Sequence, residues 1–278
     1  MGGCCGRLVA ELKAPTFAVR EPSDPRKEVD IVATFQTTSS FTKIIKAVLA
    51  LLALACFIES LITTTRPQFM WAYLSHWSLT FATIYLCLSA VWIVVTPSET
   101  SPLVILTWAM YPLVSVAEII VCVLYWTLDY EPSRQIKIYT IAAHGFIMLL
   151  VLIDGILISR VPVRVRQLVF PFVYFSVYIL WTGVHALLDI GNKHRNEGVD
   201  DDDAIYAMLS WNHKLVPTLI ICLGVLFVAC PVVFFLIWGL SICGRKFKTS
   251  DIETDAQYDD EENKQYNKGD EMQPASLF

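Results

Sequence analysis

Between about residue 44 and residue 242 the chain alternates long apolar runs with short polar breaks. The runs cover about 44–63, 72–95, 103–128, 138–159, 168–190 and 215–242. Each is long enough to cross roughly 30 Å of hydrocarbon as a helix. None shows the two-residue alternation of a barrel strand. The expected fold class is therefore all-α, a polytopic membrane protein with a six-helix transmembrane bundle over residues 43–243. The last run is long enough to tilt, and Pro231 inside it predicts a kink. No internal repeat marks a transporter built from two related halves.

Charge at the run ends gives an orientation. Lys43, Lys46, Arg160, Arg164, Arg166, Arg245, Lys246 and Lys248 fall on one side, joined by Arg26 and Lys27. Fewer basic residues flank the other side, which by the positive-inside rule places both termini in the cytosol. Residues 1–42 read as a cytosolic tail in which the polar, proline-broken stretch 8–42 holds little fixed structure, and 244–278 as an acidic, disordered tail. Composition agrees with this class: 278 residues, 55% hydrophobic, mean hydropathy +0.53. The net charge of −5 comes from the polar segments. No basic domain or recognition motif points to nucleic acid. The largest outer loop carries Asp200-Asp201-Asp202-Asp203, which lacks the spaced ligands and turn glycine of a calcium loop and reads as a solvated acidic loop. The outer loops hold no Asn-x-Ser/Thr glycan acceptor.

The N-terminal Gly2, Cys4 and Cys5 form a candidate lipidation site, with Gly6 where myristoylation favours Ser or Thr. The alternative is a plain tail. Other cysteines sit inside apolar runs as small packing residues, without metal spacing. The end, Ser276-Leu277-Phe278, fits a loose pattern for a PDZ-type partner. Membrane lipids are the remaining expected partners; no cofactor or metal is implied.

The stretch 140–166 carries the most chemistry: an apolar run with His144 and Asp154, closed by Arg160, Arg164 and Arg166. Ionisable groups inside a membrane helix are costly and mark candidate sites. Placed by depth, Glu59, Ser75, His76, Glu118, His144, His185 and Asp189 all fall in the outer half. Asp154 alone falls in the inner half, within reach of Arg160 or Arg164. The outer set predicts a shared polar cavity. In it Ser75 is the candidate nucleophile and His144, His76 or His185 the base, oriented by Glu118 or Glu59. The competing reading is a hydrogen-bond network holding helices together. Trp71, Tyr73, Trp77, Tyr125, Trp126 and Trp211 read as interface anchors.

Residues 71–79, Trp-Ala-Tyr-Leu-Ser-His-Trp-Ser-Leu, together with Tyr125-Trp126-Thr127, His144-Gly145, Asp154, 158–164, Phe170-Pro171, Tyr178 and Ile205-Tyr206 to Trp211, resemble the rolling stone family. These are invertebrate multi-pass membrane proteins associated with myoblast fusion, and the resemblance implies a plasma-membrane protein of cell–cell contact or fusion. That family is distantly similar to the androgen-induced FAR-17a-type membrane hydrolases, which cleave lipid esters with a threonine and a histidine. The resemblance puts Ser75 at the nucleophile position. The hydrolases' histidine lies one turn after His144, where this chain has Ile147. The alternative function it implies is an intramembrane hydrolase using Ser75 and His144.

Overall fold

A computed structural model describes residues 4–22, 24–64, 67–98, 101–130, 138–192 and 204–249. Among the described residues five helices are long and apolar enough to cross a membrane: α3 (Ser40–Thr63), α4 (Leu74–Val91), α5 (Pro102–Asp129), α7 (Val165–Leu187) and α8 (Leu215–Gly244). A shorter apolar helix, α6 (Ala142–Ile158), lies between α5 and α7 and follows a helical turn at Ile138–Ile141. Among the described residues the fourth run is thus the one whose apolar helix is shorter than the five. It is broken by two wide π turns, Ala142–Phe146 and Ile153–Ile158.

Helix boundaries follow local chemistry. Ser39 caps α3 by accepting from the Thr42 amide. Pro102 opens α5 in the first turn, where its missing N–H costs nothing. In α8 a π turn, Val225–Ala229, directly precedes Cys230 and Pro231, where the ring interrupts the α-helical ladder. α5 is the central element: 72% of its most apolar window is buried, against 28% for α3 and α8, so the latter two form the rim. Around α5 pack α4, α6, α7 and α8.

The N-terminal region departs from the expected tail. Residues 4–36 fold as α1 (Cys4–Lys13), β1 (Arg20–Glu21), β2 (Asp24–Val29) and α2 (Ile31–Phe35). β2 pairs antiparallel with β3 (Phe247–Thr249), which directly follows α8, with Val29 opposite Phe247. Val29, Ile31 and Phe35 are essentially fully buried in the common core. The start of the acidic tail is therefore a strand, and the N-terminal segment covers the end of the bundle where α3 begins and α8 ends. We call this end proximal and the opposite end distal. Apolar anchors and long-range ion pairs overcome the prolines and charges that suggested disorder.

Candidate functional site

At the distal end, the first turn of α4, the last turns of α5, the start of α6, the loop 204–214 and α8 enclose a cleft of about 640 Å³, counting its open mouth. Ser75 and His144 both line it. The π turn at Ala142–Phe146 sets His144 at φ −119°, ψ 21°, outside helical values. Such turns are frequent where a helix presents a functional group. Nδ1 of His144 lies 2.9 Å from the Thr140 carbonyl, which can only accept. The proton is thereby assigned to Nδ1 and the lone pair to Nε2. The ring stacks on Tyr125 at 3.7 Å and 17°, and the Trp126 indole donates to the His144 carbonyl at 2.9 Å. Two residues expected only as interface anchors thus fix the imidazole.

Tyr206 ties the loop to the cleft. Its hydroxyl accepts from the Leu74 amide at 3.1 Å, one residue before Ser75, and Tyr178 lines the same cleft. Tyr178 donates to the Ala72 carbonyl at 2.9 Å. Burial first, and the Asp129 carboxylate next, push the Tyr206 phenol up from its ordinary value, so it stays neutral. Trp211 adds a bond from its indole to Thr182 at 3.1 Å. Tyr178, Tyr206 and Asp129 all line the cleft, and depth along the chain alone gave no sign of them.

The other expected members of the outer set go elsewhere. Glu118 is 1% exposed and accepts from Ser78 at 2.5 Å, not from Ser75. His76 pairs through Nδ1 with Ser60 at 3.0 Å, joining α3 to α4. His185 is buried with its ring edge-on to Trp181. Asp189 ends α7 in the left-handed region at φ 47°. Glu59 is half-buried and does not face the cleft. The seven groups share a depth but not a chamber; helix rotation separates them. No hydrogen bond joins Ser75 to an imidazole among the described residues.

The proximal end holds most of the buried charge, contrary to the expectation that Asp154 stands alone there. Asp154, 1% exposed, sits in the second π turn of α6. It accepts from Tyr85 at 2.7 Å, Ser89 at 2.9 Å and Ser159 at 3.3 Å. Its cation is Lys46 at 4.0 Å, not Arg160 or Arg164. Lys46 also donates to the Phe35 carbonyl and to Ser89, both at 3.1 Å. Arg164 points the other way. It reaches Glu11 at 3.0 Å and Glu21 at 3.2 Å, while Arg245 reaches the same two at 3.0 and 2.7 Å. Burial, then the neighbouring Arg245, pull Arg164 down from its ordinary value, and the two glutamates oppose this. Of the lipidation candidates, Cys4 and Cys5 open α1. Gly2, Asp200–Asp203 and Ser276–Phe278 lie outside the described residues.

Compared with family models, curated proteins and solved structures, the chain matches none.

Proposed function

We propose that this is a six-span membrane protein with both termini in the cytosol, whose distal cleft binds and hydrolyses a lipid ester. The β2–β3 pairing supports the topology. It brings the segment before α3 and the segment after α8 into one sheet, so the number of crossings between them is even. Five long helices then require α6 as the sixth. Attachment of a membrane-impermeant thiol reagent to single cysteines placed at Lys27 and Lys214 in intact cells tests this: only the second position reacts. Labelling at both positions, or at the first alone, overturns the topology.

The observation that carries the chemistry is that Ser75 and His144 line one apolar cleft. In the proposed step, Ser75 Oγ attacks the ester carbonyl carbon while Nε2 of His144 takes the hydroxyl proton. Collapse of the tetrahedral adduct breaks the bond to the leaving alkoxide, which receives that proton. Water, activated by the same imidazole, then releases the acid. Thr140, Tyr125 and Trp126 are positioning residues, holding the tautomer and the ring. Such serine–imidazole contacts often form only with substrate bound. Labelling of membranes by a fluorophosphonate probe should be lost in Ser75→Ala and strongly slowed in His144→Phe.

A second reading is a non-enzymatic plasma-membrane protein of rolling stone type, acting in cell–cell contact or fusion. Two observations favour it: among the described residues no hydrogen bond joins Ser75 to an imidazole, and Ile147, at the position of the hydrolases' histidine, is fully buried. Absence of fluorophosphonate labelling in folded protein would sink the hydrolase and leave this reading.

A further inference from the structure

The cleft has a charge that the hydrolase reading does not use. Asp129, in the last turn of α5, lines it and is half-buried. Among the described residues the carboxylate makes no hydrogen bond or ion pair. Among the described residues no lysine or arginine lines the cleft. The walls beside the carboxylate are aromatic, with Tyr125, Tyr178, Tyr206 and Phe175 facing the same space. Further in, the lining turns apolar with Val121, Ile221 and Val225. From Asp129 back to Val121 is about 12 Å along α5 at ~1.5 Å per residue, room for the first part of an alkyl chain.

We propose that the cleft selects an amphiphile with a cationic head, an alkylammonium, whose charge lies against Asp129 and the tyrosine rings and whose chain runs along α5. This names a substrate class for the site proposed above and rests on that cleft being a ligand site. Aromatic faces and a carboxylate without a competing cation are what an ammonium group requires once it leaves water. The same arrangement excludes other heads. A carboxylate or phosphate would face Asp129 with no positive group among the described lining residues to offset the repulsion. A neutral head gains nothing from the carboxylate. The ammonium can be quaternary, as in a choline ester, or primary, as in an ethanolamine ester; the recognition chemistry is shared.

The test is equilibrium binding to full-length protein in nanodiscs of neutral lipid. The probes are dodecyltrimethylammonium, dodecylamine, dodecanol and dodecyl sulfate, all below micellar concentration. Both ammonium probes should bind at least about tenfold tighter than dodecanol, with dodecyl sulfate weakest. A preference for one of the two separates the quaternary from the primary source. Asp129→Asn should erase the preference and Asp129→Glu should keep it, which guards against a variant that merely misfolds. Equal binding of all probes, tighter binding of the sulfate, or a preference that survives Asp129→Asn overturns the proposal. The preference should persist in Ser75→Ala. Absence of fluorophosphonate labelling in the folded wild-type protein, with the cation preference intact, therefore removes the hydrolase reading alone. Labelling without any cation preference removes this proposal alone.

Discussion

Arg164 is the group whose removal should report most directly on how the N-terminal segment is held. The side chain is fully buried between the α6–α7 connection and residues 11–21. It donates to Glu11 and Glu21, and to the carbonyls of Ala18 at 2.9 Å and Arg20 at 3.2 Å. In Arg164→Ala, Arg245 still meets both glutamates, so the cluster passes from two cations against two anions to one against two. Breaking a buried pair in this way costs about 3–5 kcal/mol. The released carbonyls would add to this if they stayed dry. The segment avoids the whole cost by undocking, because its covalent link to α3 is the short stretch after Phe35. Amide hydrogen exchange over residues 8–21 should therefore accelerate by about 100-fold or more, while α5 stays protected. Replacing the anion and cation together, Glu11→Leu with Arg164→Met, should cost less than the sum of the single changes, since an apolar pair of similar volume removes the uncompensated charge. Exchange in 8–21 that stays within about threefold of wild type in Arg164→Ala would refute the claim that this cluster holds the segment.

Other consequences are equally local. A Cβ on Gly155 would stand 1.8 Å from the Tyr111 ring, which is itself buried, so Gly155→Ala should lower stability by about 1–3 kcal/mol or prevent folding. Gly239→Ala, with nothing within 4 Å, should be neutral or slightly stabilising by thermal unfolding in nanodiscs. Lys46→Met and Asp154→Asn should each destabilise strongly, and the double variant by clearly less than their sum; additivity would show that the 4.0 Å pair does not couple. Lys246, which donates to the Ala33 carbonyl, is held below its ordinary value by burial first and by Lys46 and Arg160 next. Between that lowered value and 10.5 the unfolded chain binds the extra proton, so stability should rise with pH across this window, and Lys246→Met should flatten the rise.

The five long helices were legible because an apolar run of bilayer length has few other uses. The run expected at about 103–128 is α5, Pro102–Asp129, and that at about 215–242 is α8, Leu215–Gly244. The N-terminal segment was not legible, because its stabilising partners are far off in sequence: Arg164 lies 153 residues from Glu11, and Arg245 lies 224 from Glu21. Read locally, Glu11 and Glu21 are charges in a proline-rich stretch; only the fold supplies their counter-ions. The candidate site was legible in part. Depth along the helices picked out Ser75 and His144, but depth does not give rotation. Glu118 and His144 lie at comparable levels, yet one faces Ser78 inside the bundle and the other faces the cleft. Tyr206 stood out only through the resemblance, and its part in the cleft was out of reach, since it depends on a loop returning across 132 residues to Leu74.

The two ends of the bundle use polarity differently, and this decides where chemistry belongs. At the proximal end the charged groups are engaged with one another: Asp154 takes three hydroxyl donors and an ammonium, and Arg164 and Arg245 share two carboxylates. Glu11 Oε2 and Arg245 Nε apart, the buried charged atoms of this cluster are occupied by one another or by backbone and hydroxyl groups, and its removal costs stability, which is what a structural clamp does. At the distal end Ser75, Asp129 and His144 border a space between helices instead of filling it. Density of buried charge is thus a poor guide to a site. A reacting group must be fixed from behind, as His144 is by Thr140, Tyr125 and Trp126, and face a space wide enough for a second molecule. By that criterion the proximal cluster anchors the fold and the distal cleft is where a substrate would meet the chain.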